Sequence, residues 1–360
     1  MKRLLKFIRV NVLVSNLLST LMLWAVCASC WLHPEDFPRL SLLGLLFPVF
    51  LLVHLLFIPA WLVVNYRRAW IPLAGLLPVM GFILDYCPLN LPQDIPPQAV
   101  KVLTWNSHHY GSLWEDKEEG KRMTVKYLLE SDADIICMQE TTTPGAVIDS
   151  FYTEMEQRGY HRDTYLGTVL LTRFDILDMD TIAYESQRNP DGSKGNGSKW
   201  YRLLIEDKEV ILVNNHLESN RLEDSIKQDY VANLDNPEYR KMKESGRKIG
   251  RKLTTSTVFR GAQTDTLCRF AEQHRDERVI LCGDFNDTPV SYTCQQLGKR
   301  LKNAFSESGR GIGLSYNKRG FWVRIDHIFH NEQCRSYQTY IDRSIATSDH
   351  YPLISWLVFE

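Results

Sequence analysis

The sequence has no excess of either charge. Its 42 lysines and arginines face 43 aspartates and glutamates, for a formal charge of −1, and the residues after 98 hold 35 basic against 39 acidic groups, for −4. That balance argues against a general polyanion-binding surface. A cysteine framework is also missing. Of eight cysteines, five (137, 268, 282, 294 and 334) lie after residue 98, an odd number without metal-ligand spacing, and Cys137 and Cys282 sit inside apolar runs. They read as small buried hydrophobes, which leaves no disulfide scaffold and no thiolate metal site. No internal repeat is evident.

What the chain does have is an uneven distribution of apolar residues. Residues 7–32 and 40–64 are nearly uncharged and rich in Leu, Val, Phe and Trp. Each exceeds the ~20 residues that cross a ~30 Å hydrocarbon core, so both read as transmembrane helices. A third stretch, at 69–86, carries Pro72 and Pro78 and reads as a span, with an interfacial segment as the alternative. Residues 1–88 are thus expected to be an uncleaved multi-pass anchor; the first run is too long for a signal-peptide h-region, and two more follow it. Lys2, Arg3, Lys6 and Arg9 precede the first run and Arg67 and Arg68 follow the second. The positive-inside rule puts both in the cytoplasm, so three spans place the remainder outside and two place it inside. The stretch CPLNLPQDIPPQ at 87–98 has four prolines in twelve residues and reads as a semi-rigid spacer, with the linker proper at 89–98.

From residue 99, short apolar runs alternate with helical windows near 118–131 and 144–158, which indicates a layered α/β domain over 99–360. The runs are AVKVLTWN, ADIICMQE, GTVLLTRF, WYRLLIE, VILVNNHL, RVILCGDFN, VRIDHIFH and YPLISWLVF. RNPDGSKGNGSKW at 188–200 reads as a mobile hairpin tip or loop. Polar residues recur at the ends of the apolar runs: Asn106, Glu140, His216, and Asp284 with Asn286. A rigid sheet holds such side chains while loops give access, so convergence on one pocket is the economical inference. RIDHIF at 324–329 and SDHYP at 348–352 add Asp326, Asp349 and His350.

Carboxylates with Asn and His, and no cysteine cluster, make a hard-oxygen site suited to Mg²⁺ or Mn²⁺ and to phosphoester hydrolysis. The co-linear series TWN, MQE, NNHLES, GDFND, RIDHIF and SDHYP resembles the endonuclease/exonuclease/phosphatase superfamily over about 99–360, in its histidine-bearing branch rather than its apurinic endonuclease branch. The resemblance implies a four-layer α/β sandwich, two mixed β-sheets flanked by helices, here preceded by two to three transmembrane helices. It implies Glu140 as the principal metal ligand, with Asn106 helping to hold metal or phosphate. Asp284 would orient or activate water beside Asn286, and Asp326 and Asp349 would position imidazoles, Asp349 also being a candidate ligand. His350 would contact phosphate, and His216 would be the second imidazole and candidate general acid.

Several residues outside the motifs have two readings each. His108 and His109 either line the same pocket or are solvated in a loop. Arg202 either reaches a phosphate or forms a surface ion pair, and Phe321 and Trp322 either wall the substrate or pack in the core. RKMKESGRKIGRK at 240–252, within an expected basic helical insertion over 219–253, has seven basic residues and one acidic. It is either a solvated helix face or a lid for anionic headgroups. The expected activity is that of a membrane-anchored phosphodiesterase, acting on nucleic acid or on a phospholipid or phosphoinositide headgroup beside the bilayer. The alternative from another class is a non-catalytic receptor for a phosphorylated ligand.

Overall fold

The structure is a computed structural model that describes residues 2–141, 145–184, 196–220, 222, 224–235 and 238–360. Most of the loop expected at 188–200 lies outside them. Strands are β1 (Val100–Asn106), β2 (Ile135–Gln139), β3 (His161–Tyr165), β4 (Thr168–Thr172), β5 (Asp175–Ile182), β6 (Ser198–Ile205), β7 (Lys208–His216), β8 (Arg278–Asp284), β9 (Lys302–Asn303), β10 (Asp326–His330), β11 (Cys334–Ile341) and β12 (Leu353–Phe359). They form two sheets, ordered β11-β12-β1-β2-β4-β3 and β5-β6-β7-β8-β10-β9. Each is mixed, with one parallel pair, β1 with β2 and β7 with β8.

The alternation of side chains along a strand explains the layers. In β1, Val100 and Val102 join the core between the sheets, while Leu103 and Trp105 point outward. In β8, Ile280 and Cys282 face inward and Val279 and Leu281 outward. The outer face of the first sheet packs on the helices Lys117–Glu130 and Ala146–Gln157, through Leu128, Phe151 and Met155. The outer face of the second packs on Tyr239–Gln273 and Tyr292–Gly298, through Leu267, Ala271 and Leu297. This is the four-layer α/β sandwich. Strands β3, β5 and β11 carry charged and exposed side chains, and for that reason their runs did not stand out as apolar.

The basic run at 240–252 is helical. It forms the first part of the 35-residue helix Tyr239–Gln273, whose later turns pack on the second sheet.

Two N-terminal helical stretches, Arg3–Trp31 and Ser41–Arg68, are long and apolar enough to cross a membrane, and Trp70–Tyr86 is a shorter apolar one. They run antiparallel in sequence. Trp61 donates its indole N–H to Asn16 Oδ1 at 3.0 Å, His54 Nε2 lies 2.9 Å from the Pro72 carbonyl, and Trp24 donates to the Gly75 carbonyl at 2.8 Å. Lys2 and the Arg67/Arg68 turn therefore sit at one end of this bundle, and residues 31–46 and 85–86 at the other, against the sandwich. There His33 meets Asp265 at 3.0 Å, Gln295 donates to Asp85 Oδ2 at 3.1 Å, and Arg324 donates to the Asp85 carbonyl. The proline-rich stretch that follows is bonded to the sandwich at Asn90 and Gln93. Asn90 donates to the Ser306 and Gly309 carbonyls at 2.9 Å, and Gln338 donates to the Gln93 carbonyl at 2.6 Å.

Gly283 has φ +136°, and a Cβ there would stand 2.0 Å from the Asn215 carbonyl oxygen on β7. Neither strand can yield without breaking the β7–β8 ladder beneath Asp284. Gly283→Ala is expected to cost about 2–4 kcal/mol and lower Tm by several degrees. Gly298→Ala, which meets open space, is expected to leave Tm nearly unchanged; thermal melts of the two variants check the pair.

Candidate active site

The inward face of each central strand continues past the apolar core into polar residues. On β7, Val210 and Leu212 are followed at the same parity by Asn214 and His216; on β8, Ile280 and Cys282 by Asp284. Register then sets three of these groups side by side, because His216 pairs with Asp284 in the parallel ladder and Asp326 with Asp284 in the antiparallel one. Unlike the others, Asp326 begins its strand; the reversed direction of β10 brings that start to the same edge. The facing sheet adds Asn106 at the end of β1 and Glu140 just after β2.

Asn106 joins the two sheets. Its amide Nδ2 donates to Glu140 Oε1 and to Asp284 Oδ2, both at 3.0 Å, and its Oδ1 accepts the His108 N–H at 3.2 Å. His350 Nδ1 lies 2.8 Å from Asp326 Oδ2, and its Nε2 lies 3.8 Å from Asp284 Oδ2. The loop carrying His350 is tied down at both sides. Trp105 donates to the His350 carbonyl at 2.9 Å and Ser348 Oγ to the Asn106 carbonyl at 2.8 Å. His216 Nε2 stands 3.7 Å from Glu140 Oε1 and 3.9 Å from Asp284 Oδ2. Its close partner is Asn196, whose Nδ2 lies 3.1 Å from Nε2. Asn286 donates its backbone N–H to Asp284 Oδ1 at 2.8 Å and its side-chain amide to the Leu217 carbonyl at 3.2 Å.

Asp349 faces a different imidazole from those expected. His108 Nδ1 lies 3.6 Å from Asp349 Oδ1 and 3.1 Å from Glu140 Oε2. Of the two histidines that had a solvated-loop alternative, His108 is drawn into the site. Neither His108 nor Asn196 had a motif of its own. The only signal for His108 was its place two residues after Asn106, and for Asn196 there was none. His108, His109 and Tyr110 have φ of 43°, 56° and 58°, and Glu140 and Asn286 have φ of 54° and 53°. Such left-handed backbone outside glycine costs on the order of 1–3 kcal/mol per residue and gathers at functional sites. Arg202 is not part of this set. It lies opposite Ile211, five residues or about 17 Å along β7 from His216, and is held by Glu209 at 2.8 Å and by Glu277. The two carboxylates neutralise it, so the surface ion-pair reading holds.

The charges of the site are closely coupled. Burial acts to raise the Glu140 carboxyl, but the hydrogen bond from His108, the His216 charge and the Asn106 amide outweigh it and hold it well below the usual range. Burial acts to lower the His350 imidazole, and the Asp326 and Asp284 charges outweigh that and raise it. Asp284 is itself raised, by burial first and by the Asp326 charge, against the His350 charge.

The donor chemistry fits a hard divalent cation. Ligand atoms of Asp284, Asp326 and His350 lie within 4.8 Å of one another. Asp326 and His350 already bond each other, although the buried Asp326 Oδ1 has no partner. Glu140, Asn106 and Asp349 supply oxygens beside this cluster, and Glu140 remains 28 % exposed to the pocket. The pocket holds about 450 Å³. It is lined by His108, Glu140, Asp284, Asn286, Asp349 and His350, and also by Phe321 and Trp322, which line this pocket rather than the core.

A model of the Endonuclease/Exonuclease/phosphatase family matches residues 257–350, and a domain of unknown function matches residues 6–86. No curated protein matches the chain. Among solved structures, the catalytic domain of human Nocturnin with bound sulfate anion is 15% identical with a TM-score of 0.53, over 74% of this chain and 97% of that one. Truncated Caenorhabditis elegans TDP2 is 17% identical with a TM-score of 0.48, over 74% and 100%. An endonuclease/exonuclease/phosphatase from Bacteroides vulgatus is 18% identical with a TM-score of 0.48, over 73% and 99%. The fold of the sandwich is that of the endonuclease/exonuclease/phosphatase group.

If the Asp326 contact is what raises His350, then in metal-free protein His350 stays protonated well above pH 6.5, and Asp326→Asn lowers its pKa by about one unit or more. NMR titration of the labelled imidazoles measures both. The sign follows from the raised pKa: the stabilisation is complete below pH 6.5 and is lost as pH rises through the folded value.

Proposed function

We propose that this endonuclease/exonuclease/phosphatase-fold chain is a membrane-anchored, divalent-cation-dependent phosphoester hydrolase, and more specifically a phosphodiesterase. The observation that carries the reading is the row His216–Asp284–Asp326 on three adjacent strands. Asn106 and Glu140 close over it from the opposite sheet, and His350 stands in the same pocket. A receptor for phosphorylated ligands would not need a buried carboxylate, Asp284, flanked by two imidazoles.

Roles follow from placement. Glu140, with Asn106 and Asp349, would hold Mg²⁺ or Mn²⁺, which when bound neutralises phosphate charge. Asp284, kept in place by Asn106 and the Asn286 N–H, accepts the proton of the attacking water. The water oxygen bonds to phosphorus as one P–O ester bond breaks. His216 supplies the proton to the leaving oxygen, giving an alcohol and a phosphomonoester. His350, kept cationic by Asp326, donates from Nε2 to a non-bridging phosphate oxygen.

The anchor reading has its own support. With residues 2 and 67–68 at one end and residues 31–46 and 85–86 at the other, the third stretch returns to the side where the sandwich sits. Its 17 residues, Trp70–Tyr86, include a 3-10 turn and reach roughly 27 Å, close to a thin bilayer. Three crossings with basic residues inside put the sandwich on the extracytoplasmic face.

The purified full chain is expected to hydrolyse bis-p-nitrophenyl phosphate with Mg²⁺ or Mn²⁺ and to lose this with EDTA. His350→Ala and Asp284→Asn are expected to lower kcat by about 10²–10⁴. Mg²⁺ is expected to raise Tm in the wild type but not in Glu140→Gln, where the charged ligand is gone. For topology, alkaline phosphatase fused after Glu360 is expected to be active. A fusion active only as a cytoplasmic reporter would reverse the assigned side.

A further inference from the structure

The wall of the active-site pocket is not made by the sandwich alone. Leu45 and Pro48, at the head of the second apolar stretch, and Tyr86, at the end of the third, line the same pocket as Asp284 and His350. They are brought there by contacts that leave no slack. A Cβ on Gly44 would stand 1.9 Å from the Val290 carbonyl oxygen, four residues after Asn286, and Val290 is buried among Leu23, Phe47 and Tyr86. On the other flank, Arg324, two residues before Asp326, is 1 % exposed; it donates to the Asp85 carbonyl and, at 2.8 Å, to the Ile312 carbonyl. The two segments that carry Asp284, Asn286 and Asp326 are therefore each fastened to the anchor.

The sandwich adds Leu253, Phe321 and Trp322 to the same lining, the last 59 % exposed. The lining thus has two chemical parts: a polar one that holds the hydrolytic groups together with Lys227 and Arg260, and an apolar one contributed by both anchor and sandwich. Leu45 and Pro48 are the fifth and eighth residues of their stretch, at the end next to the sandwich, which in a bilayer is the end nearest the headgroups on that side. A tryptophan exposed at that level is in its preferred environment.

We propose that this apolar part is the binding site for the acyl chains of a bilayer phospholipid, whose phosphodiester is thereby delivered to Asp284 and His350. The anchor is then part of the substrate site, not only a tether. This rests on the phosphodiesterase and anchor readings above. A water-soluble diester contacts only the charged part and leaves Leu45, Tyr86 and Trp322 wet, whereas the acyl chains of a lipid cover them and gain from the burial of apolar surface. A polynucleotide would stack a base on Trp322 at most and would leave Leu45 and Pro48 uncovered.

The test uses the full chain in detergent micelles with Mg²⁺. Rates are measured on bis-p-nitrophenyl phosphate, on phosphatidylcholine and phosphatidylglycerol, on the matching glycerophosphodiesters without acyl chains, and on single-stranded DNA. The expected result is that at least one phospholipid is cleaved at least about tenfold faster than its chain-free counterpart. Leu45→Ser and Trp322→Ser are each expected to reduce that ratio about tenfold, with Tm measured alongside; if Leu45→Ser fails to fold, the exposed Trp322 carries the test. Cleavage of the small diester with no preference for acylated substrates, or a ratio indifferent to both substitutions, overturns the lipid site and leaves the hydrolase intact. Faster cleavage of DNA than of any lipid also overturns it. Absence of metal-dependent cleavage of every diester overturns the hydrolase reading itself.

Discussion

Beneath the site, a buried pair of amides links the two sheets. Gln139, the last residue of β2, donates its side-chain amide to Asn214 Oδ1 on β7 at 2.8 Å, and Asn214 donates in turn to the Val169 carbonyl at 3.0 Å. Both side chains are fully buried, where an unpaired amide costs about 1–3 kcal/mol. Sliding one sheet over the other would orphan them. Apolar cores tolerate small slips, but this pair does not, and it lies directly below the Asn106 amide that bonds Glu140 and Asp284. The site is an assembly of two half-sites, and the amide pair fixes their separation.

Above that floor the site is compact because its charges compensate one another. Glu140, Asp284, Asp326 and Asp349 would repel if gathered bare, and His108, His216 and His350 stand between them. The left-handed turns at His108–Tyr110, Glu140 and Asn286 make this interleaving possible, since extended backbone would carry those side chains past the pocket. Hydrogen bonds hold the turns, including His109 N–H to the Glu140 carbonyl at 2.6 Å and Gly111 N–H to the Ser107 carbonyl at 2.8 Å. Backbone strain and electrostatics are thus parts of one arrangement.

The apolar N-terminal region meets the sandwich through the segments that bear the catalytic candidates. Val290 packs with Leu23 and Phe47, and Arg324 clasps Asp85 from two residues before Asp326. The N-terminal bundle is thus in contact with the segments next to the β8 and β10 ends. Membrane thickness and lipid packing then become physical variables of the site under the anchor reading, because mismatch is relieved by tilt.

How much of this was legible in the sequence differs by kind. Apolar runs marked the central strands, since strands buried on both faces must be continuously hydrophobic, and the motif residues at their ends marked Asn106, Glu140, His216, Asp284 and Asp326. Their order along the chain was enough for the fold. Edge strands β3, β5 and β11 were missed because solvent on one side removes the apolar signal. The sequence by itself determined the sandwich, the apolar N-terminal stretches and most of the polar set, because burial and side-chain alternation act locally. Only the tertiary structure decided that His108 and Asn196 enter the site and that Arg202 stays out. It also brought Leu45, Pro48 and Tyr86 to the pocket. These placements depend on register between sheets and on docking of segments far apart in the chain, and neither leaves a periodic trace in the sequence.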